Sequence, residues 1–295
     1  MKIRKQFAAG AGVGACCALL LLSGLAQAGP FDRVVTTGHD AVATPGARVP
    51  LEGKFERRGL WLFNPDLHDE PVDFFLGGTA VGAARTDRDG VAAVPFVAPA
   101  AGVYPFAARL ARRPSAPPAR ARLFVLDPAQ PVAVCDIDET LSDMPSWQVP
   151  FAGALAPTYP GAVALLRDLA RRYAIVYLTA RDDAFDRSTR AFLARHGFPD
   201  GPVLYNDLGW TTRREREQLL SRHHGEFKLR VLRALQGRGV RLVLGLGNAE
   251  TDAYAYERAG LQSFLRTSRV GSGSSFRFLD YDVLRLELVA RGLLP

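Results

Sequence analysis

Two aspartates separated by one residue stand directly after a short apolar run in this chain. The run covers residues 132–135, and Asp136 and Asp138 follow it. Such a run is typical of a buried parallel strand, and open α/β sheets bind ligands at the carboxyl ends of their strands. Two carboxylates there suit Mg²⁺, which prefers hard oxygen ligands, or covalent chemistry through an aspartyl intermediate. An acidic turn after a strand would have the same sequence pattern. Further motifs are therefore needed to distinguish a functional site from such a turn.

Three further features follow along the chain. Thr179 ends a second apolar run, where a hydroxyl can bond a phosphate oxygen. Lys228 is one of only two lysines after the first 28 residues, among many arginines, which indicates a position that favours a compact ammonium. Asn248 and Asp252 follow another apolar run. Taken singly, each feature also has a purely structural explanation. The last motif, for example, would fit a helix N-cap with acidic residues in the first turn.

The elements that must position these residues alternate along the second part of the chain. This alternation predicts a Rossmann-like parallel α/β sheet over residues 131–295. We predict strands at residues 132–135, 174–178, 203–205, 241–245 and 263–265, and helices at residues 162–172, 184–196, 226–236 and 251–258. The apolar tail over residues 276–295 is expected to pack back on the sheet.

Residues 29–128 show a different pattern. Short apolar stretches separated by turn residues predict an all-β sandwich, and its pattern resembles bacterial immunoglobulin-like modules. No residue there marks chemistry, and Lys54 is given no role. A proline-containing segment over residues 127–131 is the predicted linker between the two domains. The sandwich could hold the enzyme to a surface.

The first 28 residues predict a signal peptide and therefore export to the periplasm or beyond the cell. Three basic residues within the first five positions precede an apolar run over residues 8–25 and an Ala-x-Ala motif ending at Ala28. An uncleaved membrane anchor is the alternative. Cleavage would lower the formal net charge from +7 to +4, because three cations are removed. Cys135 would then be the only cysteine, which excludes an internal disulfide and predicts a buried thiol.

Scattered arginine gives the remaining chain its positive charge. No cluster of basic residues is interleaved with aromatic residues, so a nucleic-acid partner is not expected. The sequence identifies no protein partner.

The ordered motifs DxDxT, Thr, Lys and NxxxD resemble the haloacid dehalogenase superfamily of phosphotransferases over residues 132–252. Thr-Ala-Arg after the second strand, Phe227-Lys228, and Asn248 with Tyr256 look like the lipin-type domain of phosphatidate phosphatases. Glu139 stands where that family usually has glycine, and Ala249 where it usually has arginine. Asp-Ile-Asp-Glu-Thr is also similar to secreted acid phosphatases of the same superfamily.

The resemblance implies a role for each motif residue. Asp136 would be the nucleophile and Asp138 the acid and then the base. The implied Mg²⁺ ligands are Asp136, Asp138, Asn248 and Asp252, with Asn248 either a ligand or a partner of one. The implied contacts to the phosphoryl group are Thr140, Thr179 and Lys228.

Three functions follow as hypotheses. The first is a Mg²⁺-dependent phosphatase of phosphatidate-like lipids, and the second is an acid phosphatase of soluble monoesters or nucleotides. The third is a phosphatidate-binding module without turnover, although pure binding has no need for a second acid such as Asp138. About forty residues separate Asp138 from Thr179, too few for a large cap. An open site could meet a membrane surface, with Trp147, Val149 and Phe151 as candidates for lipid contact.

Overall fold

The computed structural model describes residues 33–59, 64–144, 148, 152–206, 222–271 and 273–295. The predicted signal peptide and the candidates for lipid contact, Trp147, Val149 and Phe151, lie outside the described residues. Among the helices of the described residues, none has the length and apolar character needed to cross a membrane.

The described residues of the N-terminal part form two packed β-sheets. The strands are Val34–His39 (β1), Ala41–Ala43 (β2), Arg48–Arg57 (β3), Pro71–Leu76 (β4), Thr79–Arg85 (β5), Val91–Val97 (β6), Gly102–Leu110 (β7) and Ala119–Val125 (β8). One sheet has the order β1-β3-β6 and the other β2-β8-β7-β4-β5. All pairs are antiparallel except β2 with β8.

Alternating side chains explain why these strands pack in two layers. In β8, Ala119, Ala121 and Leu123 point inward and are buried, while Arg120 is exposed. Inward residues of both sheets, such as Phe55, join them in one hydrophobic core. The described N-terminal residues are therefore all-β, as the sequence predicts, while the immunoglobulin-like type stays a prediction.

The second part is a six-stranded parallel sheet. Its strands are Pro131–Cys135 (β9), Ala174–Leu178 (β10), Val203–Leu204 (β11), Arg241–Gly247 (β12), Gln262–Arg266 (β13) and Phe276–Phe278 (β14). The order is β11-β10-β9-β12-β13-β14, and every neighbouring pair is parallel. The helices are Ala162–Leu169 (α1), Asp186–His196 (α2), Arg222–Gly237 (α3), Glu250–Arg258 (α4) and Tyr281–Ala290 (α5).

Both faces of the parallel sheet are covered, which is why its strands are apolar throughout. Ala133 and Cys135 of β9 face a core shared with α1, α2 and α5. Val132 and Val134 face a core shared with α3 and α4. The Cys135 thiol is buried and free, and burial raises its pKa well above the ordinary value. This agrees with the predicted inert thiol.

The main differences from the predicted elements lie at helix ends and in the tail. The predicted helix 184–196 begins instead with a short 3₁₀ turn, Asp183–Phe185, because the Asp182 carboxylate accepts a hydrogen bond from the Ala184 N–H. α1 ends at Leu169, three residues earlier than predicted. The tail packs on the sheet as expected. It does so as a strand and a helix, β14 and α5, which were not among the predicted elements.

The two parts contact each other through both apolar and charged groups. Val42 and Phe124 of the sandwich belong to the core under α3. Arg190 of α2 places Nη1 2.8 Å from a carboxylate oxygen of the buried Asp40, and Arg122 lies 2.8 Å from Asp200. The sandwich is thus packed against the sheet and not merely tethered to it.

His39, which lies at this interface, should make the free energy of unfolding depend on pH. Burial opposes its charge, but its hydrogen bonds to Asp183 and Glu52 outweigh burial and raise its pKa from 6.5 to about 10. Between these values only the folded state keeps the proton, so the free energy of unfolding falls as the pH rises through this window. Burial also raises the pKa of Glu56 from 4.5 to about 7. Between these two values the free energy of unfolding therefore also falls as the pH rises.

We expect His39→Gln to flatten the fall in stability between neutral pH and about 10, because the amide cannot take up the proton. The free energy of unfolding from denaturant titrations at several pH values measures this slope. His68→Gln removes an exposed histidine and serves as the control. A slope in His39→Gln equal to that of the wild type would contradict the assignment.

Candidate active site

The predicted site residues follow neighbouring strands of the parallel sheet. β9 lies between β10 and β12, so Asp136, Thr179 and Asn248 leave the sheet at the same edge. The Asp136 N–H donates to the Leu246 carbonyl over 2.9 Å, which extends the pairing of β9 with β12 by one residue. This pairing fixes the backbone of the first aspartate.

Lys228 joins two carboxylates below this edge. Its Nζ lies 2.7 Å from Asp136 Oδ1 and 2.5 Å from Asp252 Oδ1. All three side chains are less than a tenth exposed. Burial opposes the ammonium charge, but the two aspartates outweigh it and raise the pKa of Lys228. Burial raises the pKa of Asp136, although Lys228 acts in the opposite direction.

Asp252 is held by the backbone that leads into α4. Its Oδ2 accepts hydrogen bonds from the N–H groups of Asn248 and Ala249, each over 3.0 Å. A carboxylate at the first turn of a helix also faces the positive end of the helix dipole. The backbone fixes one oxygen of Asp252, and Lys228 occupies the other.

The absence of a side chain at Gly247 leaves space for the Asp252 carboxylate. A Cβ at Gly247 would stand 2.5 Å from Asp252 Cβ and 2.6 Å from its Cγ, closer than atoms pack. We expect Gly247→Ala to lower kcat by about tenfold or more, because Asp252 must move away from Lys228. Overpacking should also cost about 1–3 kcal/mol of unfolding free energy.

Gly237→Ala is the matched control for this substitution. Its Cβ would meet nothing within 4 Å, and Gly237 is the last residue of α3. We expect stability unchanged or slightly higher and activity equal to the wild type. Phosphate release and denaturant unfolding measure both effects. Wild-type turnover in Gly247→Ala would show that the position of Asp252 does not matter.

Asp138 is held by a bidentate ion pair. Arg181 places Nε 2.9 Å from Asp138 Oδ2 and Nη2 2.7 Å from Oδ1. The third guanidinium nitrogen donates to Thr189 Oγ1 over 2.9 Å. A planar fork of this kind fixes the direction of a carboxylate as well as its charge. The sequence motif Thr-Ala-Arg contains Arg181, but sequence reasoning assigned it no role.

The two predicted threonine contacts make hydrogen bonds within the protein. Thr140 Oγ1 donates to Asp136 Oδ2 over 3.1 Å, and its carbonyl accepts from the Tyr281 hydroxyl of α5. Thr179 Oγ1 accepts from the Arg181 N–H over 3.1 Å. Both threonines are fully buried. Their contacts to a phosphoryl group stay predictions.

Glu139 and Asn248 meet at the outer rim. Glu139 has a φ of 53°, the left-handed region that favours glycine. The family pattern has glycine at this position, and the chain keeps the backbone conformation with a different residue. Asn248 Nδ2 lies 3.4 Å from Glu139 Oε2, so the amide is turned toward the rim. The role of Asn248 at a metal stays a prediction.

The charged groups line one open cleft of about 220 Å³. Asp136, Asp138, Arg181, Lys228 and Asp252 are among its walls. A second cavity of about 300 Å³ lies between the sandwich and the sheet and contains none of these five residues. The smaller cleft is therefore where phosphoryl chemistry could occur, and its volume is large enough for a phosphoryl group.

The donor set suits a hard cation in its chemistry, although no group of three or more histidine, cysteine or acidic residues converges as a metal site among the described residues. Among the described residues, the carboxylates of Asp136 and Asp252 share the single ammonium of Lys228, while Arg181 pairs with Asp138. Burial raises the pKa of Asp136, and a divalent cation beside it would favour its ionised form through oxygen ligands.

Comparison with known proteins gives one family match. The family model described as PITM 1-3, LNS2 domain, matches residues 133–265, which contain every predicted site residue. A comparison with curated proteins finds no match.

Three solved structures show weaker similarity. D,D-heptose 1.7-bisphosphate phosphatase from B. bronchiseptica, complexed with magnesium and phosphate, is 14% identical, with a TM-score of 0.38, 55% of this chain covered and 99% of that chain. Class C acid phosphatase from Bacillus anthracis with tungstate bound is 22% identical, with a TM-score of 0.29 and coverages of 42% and 53%. The Pnkp1/Rnl/Hen1 RNA repair complex is 16% identical, with a TM-score of 0.34 and coverages of 50% and 43%. The chain spans about half the length of the last two.

Proposed function

We propose that this protein is a Mg²⁺-dependent phosphatase that forms an aspartyl-phosphate and acts on phosphatidate or a related lipid phosphate. The observation that carries the proposal is the buried group of Asp136, Lys228 and Asp252 in the same cleft as Asp138 and Arg181. The lipid class of the substrate rests on the resemblance of the site motifs to the lipin-type domain of phosphatidate phosphatases.

The first step is attack by an Asp136 carboxylate oxygen on phosphorus. The bond from phosphorus to the ester oxygen breaks, and Asp138 gives that oxygen a proton. To carry this proton, the Asp138 carboxyl must release one of the two hydrogen bonds that it accepts from Arg181. In the second step Asp138 takes a proton from water, whose oxygen attacks the aspartyl-phosphate. Inorganic phosphate leaves, and Asp136 is restored. Phosphoryl transfer depends mainly on positioning and charge neutralisation, which Arg181 and Lys228 supply by orienting the two aspartates.

Mg²⁺ would be held by Asp136 and Asp252, with the Asp138 carbonyl as a further oxygen ligand. When bound, it would neutralise charge on the transferring group. It would also favour the ionised form of Asp136 against burial, because a nearby cation lowers a carboxyl pKa.

The test is phosphate release with Mg²⁺ from phosphatidate in mixed micelles and from a soluble aryl phosphate. Asp136→Asn serves as the blank, and chelation of Mg²⁺ should remove the activity. Preference for the micelle supports the lipid phosphatase. Preference for the aryl phosphate would move the protein to the soluble acid-phosphatase class, and binding of phosphatidate without phosphate release would leave only the binding module.

We further propose that the chain is exported, with residues 1–28 removed. The basic start, apolar run and Ala-x-Ala motif carry this proposal. Mass spectrometry of the protein from its natural host should give an N-terminus after Ala28. An intact N-terminus on a membrane-bound protein would support the uncleaved anchor instead.

A further inference from the structure

The turn after β10 connects the site to the sandwich. Arg181 in this turn pairs with Asp138, and two residues later Asp183 pairs with His39 of the sandwich. Asp183 is 2% exposed, so its carboxylate must be compensated by partners inside the protein. Those partners come from the N-terminal domain.

His39 and Lys54 are the partners of Asp183. His39 Nε2 lies 2.8 Å from Asp183 Oδ2, and Lys54 Nζ lies 3.5 Å from Oδ1. Burial opposes the charge of Asp183, but the hydrogen bond and charge of His39 and the charge of Lys54 outweigh it and lower its pKa. Lys54 is 3% exposed, so this is a buried charged cluster and not a surface ion pair.

We propose that His39 and Lys54 are positioning residues for Asp138, acting through Asp183 and the turn that carries Arg181. The inference rests on the proposed function, because it concerns the residue proposed as acid and base. It gives the sandwich a part in catalysis, beyond any part in holding the enzyme to a surface.

Among the described residues, Arg181 makes the side-chain hydrogen bonds that fix Asp138. Its side chain is 14% exposed at the rim of the cleft, and Arg181 holds both its oxygens. The Arg181 backbone is held by hydrogen bonds to Thr179 Oγ1 and from the Asn206 N–H, and Asp183 fixes the other end of the same turn. Loss of His39 or Lys54 would leave a buried carboxylate undercompensated, and the turn would shift to expose or re-pair Asp183.

The experiment compares two substrates with different leaving groups. Dinitrophenol leaves as an anion without a proton, whereas phenol needs the proton that Asp138 supplies. In His39→Gln and Lys54→Met we expect kcat/KM for phenyl phosphate, which reports the steps through departure of the leaving group, to fall on the order of tenfold, part of the 10²–10⁴-fold that a general acid contributes. We expect kcat/KM for dinitrophenyl phosphate to change by less than about twofold. Equal losses with both substrates, or no loss, would overturn the proposal.

Asp40→Asn is the matched control. Asp40 follows His39 directly, is equally part of the interface and pairs with Arg190, but it does not touch the turn. We expect it to lower stability without a difference between the two leaving groups. The same difference in Asp40→Asn as in His39→Gln would assign the effect to loosening of the interface in general.

A second measurement is independent of turnover. We expect the shifts in unfolding midpoint of His39→Gln and Arg181→Ala to be non-additive in the double variant, because both act on one turn, and those of Asp40→Asn and Arg181→Ala to be closer to additive. Additive shifts for His39 and Arg181 would overturn the coupling even if the chain proved to have no phosphatase activity. Absence of phosphate release in the wild type with non-additive shifts would instead reject the proposed function and retain the coupling.

Discussion

Asp136→Asn is expected to lower phosphate release by at least about 10³-fold while the protein stays folded. The amide has the shape of the carboxylate but cannot attack phosphorus as an anion. Its oxygen can still accept from Lys228, and its NH₂ can donate to Thr140, which now donates to Asp136 over 3.1 Å. The environment of the site is therefore preserved while its nucleophile is removed.

Stability separates this result from simple unfolding. Burial raises the pKa of Asp136, so ionisation of this carboxylate opposes folding as the pH rises. Lys228 keeps Asp252 as a partner in the variant. We therefore expect the free energy of unfolding at neutral pH to be equal to or slightly above that of the wild type, measured by denaturant titration. Turnover at the wild-type rate would exclude Asp136 as the nucleophile, and an unfolded variant would contradict the account of its surroundings.

The sheet and the positions of the main charged residues could be predicted because they depend on local pattern. Apolar runs with a fixed period mark the strands, and the ends of neighbouring parallel strands meet at one edge. That rule is enough to bring Asp136 near Asp252. The scarcity of lysine pointed to Lys228, which the structure places between these two carboxylates.

The scarcity of lysine in this chain marks Lys54 as much as it marks Lys228. It is the other lysine after the first 28 residues, and it is also buried beside an aspartate, Asp183. His39, the other partner of Asp183, lies 144 positions from Asp183 in the chain. Contacts between residues far apart in the chain leave no periodic signal in the sequence, so neither this cluster nor the hydroxyl contact of Tyr281 with Thr140 could be predicted. The acidic pair Asp182-Asp183 directly after Arg181 was the available hint.

Lys228→Met is expected to destabilise the protein by about 3–5 kcal/mol at neutral pH, because it removes the cation between two buried carboxylates. Without the ammonium, which now lowers the pKa of Asp136, burial should raise the folded-state pKa of Asp136 further above that of the unfolded chain. The folded state would then hold a proton that the unfolded state releases, so stability falls as the pH rises. The loss should be small in acid, where this carboxyl is protonated in either state, and large at neutral pH. Denaturant titrations at several pH values measure it.

Two further variants show whether the charge or its shape is required. Lys54→Met removes the other buried lysine, but Asp183 keeps His39, so we expect a smaller loss of stability. Lys228→Arg keeps the charge, yet a planar guanidinium must enter a space where one nitrogen lies 2.7 Å and 2.5 Å from two different carboxylates. We expect this variant to recover part of the stability lost in Lys228→Met while kcat falls by about 10²-fold, because Asp136 is displaced from its position of attack. Full activity in Lys228→Arg would mean that the site needs only a positive charge there, and the scarcity of lysine in this chain would then have no bearing on catalysis.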